Sequence, residues 1–242
     1  MSASDPPRGG RPEVPSPTPP TPPASSQPPA PVAPAELAVP DAVSVPDPSG
    51  PPAPGYPASF EISYPGELNR WLPLVKWLLA FPHYIALFFV GIAAFFVLVY
   101  AFFVVIFTGR WPRGAFDFVV GTLRWFHRVA AYVYLMTDSY PPFSLDDDPS
   151  YPARLHVEYP EQHIDWWRPL VQWLLAIPYV IVAGVLSYLT GVMALIAFFT
   201  VLFTKQIPRG VFELMVPWFR WNLRGSAYAY FMTDRYPPFV WG

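Results

Sequence analysis

Apolar positions gather in two long blocks, and each block is preceded and followed by the same order of polar and mixed segments. From Trp71 to Phe107 the chain runs 37 residues with one charge, Lys76, longer than the roughly 20 residues of a perpendicular crossing. Pro82 falls where the block should break. The first part, Trp71 to Phe81, carries Trp71, Lys76 and Trp77 and reads as an interfacial lead-in. The second, His83 to Phe107, is a full span. Its 25 residues cover about 37 Å at the helical rise, enough for a tilted crossing. The matching block places Pro178 and a span from Tyr179 to Phe203 in the same relation.

Ahead of each block the period changes from helix to strand. Phe60, Ile62 and Tyr64 alternate with Ser59, Glu61 and Ser63, and Leu155, Val157 and Tyr159 alternate in the same way, which predicts two short extramembrane strands able to pair. Behind each block comes a third element, Gly114 to Met136 and Gly210 to Met232. Each carries one polar stripe: Asp117, Arg124, Arg128 and Tyr132 in the first, Glu213, Arg220, Arg224 and Tyr228 in the second. At 100° per residue these fall on one helix face, with Phe, Val, Leu and Trp elsewhere. Two arginines in a lipid-exposed span cost several kcal/mol, so the stripe must face protein, water or headgroups. A span with its stripe turned inward satisfies this, and so does an amphipathic helix on the membrane surface. The tight basic turn before each element favours the span, hence a hairpin. Pro217, standing where the first copy has Gly121, predicts a kink.

The two sets of elements are a tandem duplication. Tyr56-Pro-Ala returns as Tyr151-Pro-Ala, Pro73-Leu-Val-Lys-Trp-Leu-Leu-Ala as Pro169-Leu-Val-Gln-Trp-Leu-Leu-Ala, Pro112-Arg-Gly as Pro208-Arg-Gly, and Met136-Thr-Asp as Met232-Thr-Asp. The organisation is a proline-rich tail over 1 to 55, repeat 1 over 56 to 143, an acidic linker over 144 to 150 and repeat 2 over 151 to 242. The predicted fold is an all-α membrane protein with four transmembrane helices, two per copy, and short extramembrane strands. Residues 1 to 57 hold 20 of the 35 prolines and no aromatic residue before Tyr56, too little to offset the entropy of ordering. A disordered tail with polyproline II character is expected. No basic segment leads an apolar run at the start, so the first span is expected to direct insertion.

Composition narrows function chiefly by exclusion. The 242 residues are 53% hydrophobic and only 13% charged, more apolar surface than a soluble fold hides easily. A net charge of -2 lacks the basic field of a nucleic-acid binder. The absence of Cys removes disulfides, thiolate metal sites and cysteine nucleophiles. The four histidines lack the i, i+4 pairing of a helical metal site. Asp146-Asp-Asp148 lacks the glycine and spaced acids of a calcium loop. No nucleophile stands with a base, so no catalytic residue, cofactor or metal is assigned.

Two sets of residues are left as site candidates. Arg110, Arg113, Lys205 and Arg209, in the turns joining the long helices, carry the charge to bind lipid phosphate, and equally the charge merely to orient a turn. The stripe of Asp117, Arg124, Arg128, Glu213, Arg220 and Arg224 suits an anion or headgroup path, and equally internal ion pairing. Under the pairing reading, Asp117 should meet Arg124 or an arginine of the other copy such as Arg220, and Glu213 likewise. Trp71, Trp77, Trp111, Trp166, Trp167, Trp173, Tyr140 and Tyr236, at helix ends, read as interfacial anchors.

The strings Trp71-Leu-Pro-Leu-Val-Lys-Trp-Leu-Leu-Ala-Phe-Pro-His, Phe107-Thr-Gly-Arg-Trp-Pro-Arg-Gly, Leu123-Arg-Trp and Thr137-Asp-Ser-Tyr-Pro-Pro-Phe resemble the bacterial, mainly actinobacterial family catalogued as domain of unknown function 4389. The resemblance covers residues 56 to 239. The second copy departs at Lys205-Gln-Ile and at Tyr179 in place of His83. What the resemblance implies is a helical membrane protein without an assigned activity. The expectation is therefore a multi-pass protein of the bacterial plasma membrane, both termini on the cytoplasmic side. Its partners would be membrane lipids, a second copy or another membrane protein, as part of an envelope or transport assembly. A transporter or channel component built on the arginine stripe is the other reading.

Overall fold

The computed structural model describes residues 55 to 240; the tail expected over 1 to 55 lies, but for Gly55, outside them. In chain order the elements are β1 (Ala58–Ile62), α1 (Leu72–Leu79), α2 (Phe81–Thr108), α3 (Arg113–Val133), β2 (Ala153–Val157), α4 (Arg168–Thr204) and α5 (Arg209–Ala229). The strands predicted from alternation form and pair with each other, antiparallel, Phe60 opposite Leu155. Each buries alternate residues, Ala58, Phe60 and Ile62 on one strand and Ala153, Leu155 and Val157 on the other, and leaves Glu61, Arg154 and His156 outward.

The prolines act differently in the two copies. Pro82 sits in the first turn of α2, where its missing N–H is an orphan in any case, and the chain breaks into α1 and α2 at Ala80. Pro178 and Pro217 lie inside uninterrupted helices, α4 and α5. The break expected at Pro178 does not divide α4, and α5 is likewise continuous through Pro217. Each proline removes one hydrogen bond, a loss that the remaining hydrogen bonds of a helix of 21 or 37 residues carry.

What organises the molecule is an exchange of extended arms between the copies. The arm from Tyr56 to Leu68 belongs to repeat 1 but lies along α5 of repeat 2. Phe60 stacks on Phe219 at 4.9 Å, Tyr64 meets Phe212 edge-on, and the Leu68 amide donates to the Lys205 carbonyl at 2.8 Å. The arm from Tyr151 to Ile164 mirrors it along α3. Tyr159 meets Phe116 edge-on, and the Ile164 amide donates to the Gly109 carbonyl at 2.8 Å. Contacts therefore recur in pairs about the centre of the ribbon, as a pseudo-twofold axis requires. His83 meets Trp125 in repeat 1, and Tyr179, its counterpart, stacks on Trp221 in repeat 2.

One consequence is that the long helices run in opposite senses. The chain enters α1 beside the C-terminal end of α4 and enters α4 beside the C-terminal end of α2. Gly109 caps α2 at φ 67° with the His163 ring against it, a position where any Cβ would strike the imidazole. In repeat 2 Lys205 takes the same left-handed conformation at φ 61°, which costs a non-glycine residue roughly 1–2 kcal/mol.

Under the ribbon, His127 of α3 is fully buried, its ring between Phe60 and Phe219, with Nδ1 2.7 Å from the Leu123 carbonyl. Burial holds its pKa down to about 4, against a backbone hydrogen bond that acts to raise it. The folded state therefore keeps the imidazole neutral while the unfolded chain takes up a proton below about 6.5. The stability this group contributes is whole above pH 6.5 and is lost as the pH falls toward 4. Between pH 6.5 and 5 the melting temperature of the detergent-solubilised protein should fall, and His127→Gln should flatten that slope; an unchanged slope in the variant would contradict a neutral buried imidazole.

Candidate membrane interface

Two segments are long and apolar enough to cross a membrane, Leu72–Thr108 and Arg168–Thr204, with peak mean hydropathies of 2.9 and 2.3. Only 17% and 22% of the most apolar 18 residues in each are buried inside the protein, the reverse of a soluble core helix. Their outward faces carry Phe88, Phe95 and Phe103 on α2 and Val185, Val192 and Phe199 on α4, all more than half exposed. The inward faces carry many small residues, Ala94, Ala101 and Val105 on α2 and Ala183, Thr190, Ala197 and Val201 on α4, beside the larger His83, Tyr179 and Leu186. The small ones let α3 and α5 approach closely.

The other two candidate spans, α3 and α5, fail the same test. About half of α3 and well over half of α5 are buried protein core, and the arginine stripe stands in the middle of it. Of the four crossings expected, two meet the length and hydropathy of a span. The middle of α3 is also covered by the acidic linker: a Cβ on Gly121 would collide with Leu145, and Arg124 donates to the Leu145 carbonyl at 2.7 Å.

The stripe faces inward as expected, but its acids are not its partners. Asp117 is exposed and Glu213 half-buried, and neither forms an ion pair among the described residues. Seven residues put Asp117 two turns from Arg124, about 10.5 Å along the axis, and the copies place their acids at opposite ends. The partner of Arg124 and Arg128 is Asp147 of the linker, at 3.6 and 3.8 Å. Arg128 is buried 5.5 Å beneath the Tyr151 ring. Burial, with Arg124 beside it, lowers the pKa of its guanidinium. In repeat 2 Arg220 donates through Nε to the Phe60 carbonyl at 3.3 Å, capping the edge of β1, and Arg224 lies 5.9 Å from the Tyr56 ring.

The basic turns fare better as surface sites. Arg110 is exposed, and Lys205 is half-buried with its carbonyl taken by Leu68. Arg113 lies 4.0 Å over the Tyr159 ring and Arg209 4.7 Å over the Tyr64 ring, both arginines exposed. Each arm tyrosine also donates its hydroxyl into the turn, Tyr159 to the Trp111 carbonyl and Tyr64 to that of Ile207. These tyrosines, Asp147 and Lys76 are what sequence reasoning missed. Lys76 is buried, donating to the Thr137 carbonyl at 2.7 Å and pairing with Asp138 at 2.8 Å; Gln172 replaces it in repeat 2 and donates to the Thr233 carbonyl at 2.8 Å. The repetition of Tyr-Pro ahead of each block was the available signal for the tyrosines. Asp147, in an unrepeated linker, had none.

A cavity of about 250 Å³ opens at the foot of α4 between Glu158, Glu161, Arg168, Gln172 and Asp234. Among the described residues no cluster of His, Asp or Glu can hold a metal ion.

The molecule is thus a duplicated helical protein with swapped extended arms and two largely exposed helices of membrane-crossing length. The family model described as domain of unknown function 4389 matches residues 71–144 and 167–240, and the chain belongs to that family in two tandem copies. No curated protein and no solved structure matches it.

The pairing makes opposite demands on the two acids beside the stripe. Asp147→Ala should lower stability by about 1 kcal/mol, the scale of a half-exposed pair, and most of that loss should vanish in an Arg128→Ala background. Asp117→Ala should stay within about 0.5 kcal/mol. Thermal unfolding in detergent reads both, and a larger loss at Asp117 than at Asp147 would reverse the assignment.

Proposed function

We propose that this chain is a non-catalytic membrane module, held in the lipid by the outward faces of α1–α2 and α4 and acting through assembly with itself or with a membrane partner. The observation that carries this is where the large apolar side chains lie. Phe88, Phe95, Phe103, Val185, Val192 and Phe199 are exposed on the two long helices, while the ribbon turns Glu61, Arg154 and His156 to the other side. A contiguous apolar surface of that length is unsupportable in water. The setting, following the family resemblance, is the plasma membrane of a bacterium.

The transporter reading rested on the arginine stripe as a path. That stripe is engaged in packing: Asp147 and Tyr151 occupy Arg128, the Phe60 carbonyl occupies Arg220, and Tyr56 covers Arg224. We therefore place the recognition chemistry on the surface, at exposed Arg110, Arg113 and Arg209 and half-buried Lys205, whose guanidinium and ammonium groups suit lipid phosphate.

Alkaline carbonate extraction tests the membrane reading. The protein should stay with the membrane pellet at high pH and leave it only in detergent. Phe95→Asp combined with Phe199→Asp should reduce the pelleted fraction severalfold, since each buried charge costs on the order of 3 kcal/mol in hydrocarbon. Release of the unaltered protein by carbonate would refute it.

A further inference from the structure

The arms restrict how these helices can sit in lipid. The arm from Tyr56 to Leu68 follows α5 to the C-terminal end of α4, and the arm from Tyr151 to Ile164 follows α3 to the C-terminal end of α2. Because the long helices run oppositely, upright crossings would put those two ends on opposite faces of the membrane. The paired arms would then have to traverse the hydrocarbon between them.

Three features forbid that. The ribbon has two strands only, so each strand keeps an outer edge without a ladder partner, and open sheet edges are not tolerated in hydrocarbon. Its outward side chains include Glu61, Arg154 and His156. The linker carries Asp146, Asp147 and Asp148 against the middle of α3, with Asp147 half exposed and the Asp148 carboxyl held below its usual pKa by the Ser150 hydroxyl. Each intramembrane charge costs several kcal/mol. Their sum exceeds the stability of an ordinary domain.

We infer that the protein lies parallel to the membrane plane, embedded in one leaflet, with its pseudo-twofold axis along the membrane normal. The inference rests on the reading that α2 and α4 contact lipid, and names the partner surface as a single monolayer of phospholipid. In this pose the apolar faces of α2 and α4 point into the acyl chains and the ribbon and linker point into water. Exposed Trp71, Trp77, Trp166, Trp167 and Trp173 stand around the rim at headgroup level, where indole rings are favoured. The two basic turns, which upright crossings would separate, come to the same depth on the same leaflet. Arg110 and Arg113 at one end and Lys205 and Arg209 at the other face phosphate together.

Depth profiling decides it. With no native cysteine, single nitroxide labels can be placed at Phe88, Phe95 and Phe103 of α2 and at Val185, Val192 and Phe199 of α4 in the full chain. Their depths follow from oxygen and nickel-chelate accessibility in phosphatidylglycerol–phosphatidylethanolamine vesicles. Residues 88 and 103 are 15 positions apart, about 22 Å along a helix. The in-plane pose predicts that the three depths on each helix agree within about 8 Å and that the two helices match. A profile deepest at Phe95 and Val192 and shallow at both ends means upright crossing and overturns the inference while leaving the lipid contact intact. Labels freely accessible to the nickel chelate at every site overturn the lipid contact itself. Labels shielded from both reagents and broadened by spin–spin coupling assign the face to a second copy and also overturn the inference.

Discussion

An extended strand needs partners for its backbone, and in this protein each copy finds them only in the other. The arm preceding the first long block pairs with the arm preceding the second, and each lies on the other copy's second helix. Neither copy is complete without that exchange. A lone arm would leave its backbone groups unpaired and Phe60 or Leu155 without cover. Duplication within one chain makes the exchange intramolecular and supplies each arm at high effective concentration. The pseudo-twofold relation, the opposed long helices and the water-facing ribbon all follow from it.

The copies keep this arrangement while differing where it allows. Lys76 and Gln172 donate to equivalent backbone carbonyls, those of Thr137 and Thr233, one with a charge answered by Asp138 and one without. Gly109 and Lys205 both end their helices in a left-handed residue. Only Gly109 carries an imidazole against it, so only there is a side chain excluded. The linker belongs to repeat 1 alone, and it supplies the acid that answers the paired arginines of α3. The arginine stripe is therefore enclosed by protein on both sides, met by linker and arm in one copy and by the edge of β1 in the other.

Much of this was legible in the residues. The duplication, the two strands and the two lipid-length helices follow from identity, from period-two alternation and from charge-free length. The inward turn of Arg128, Arg220 and Arg224 follows from the cost of exposing them to lipid. What the sequence could not show was who meets them. Spacing along one helix suggested Asp117 and Glu213, whereas the partners come from segments remote in sequence, Asp147 and the arm tyrosines. Of the four spans expected, two have the length and hydropathy of a crossing. A helix with a polar stripe has the length to cross, and only its tertiary contacts reveal the linker and ribbon lying against its middle.

The central claim is that the exchanged arms hold the whole described structure on one side of the membrane. The two basic turns report on it most directly, because upright helices must place them on opposite faces. Single cysteines substituted at Arg110 and at Gln206 can be challenged with a membrane-impermeant maleimide in sealed vesicles of known orientation. Modification of both from the same face, and protection of both in vesicles of the opposite orientation, is the result expected. Modification of one from each face would contradict the account.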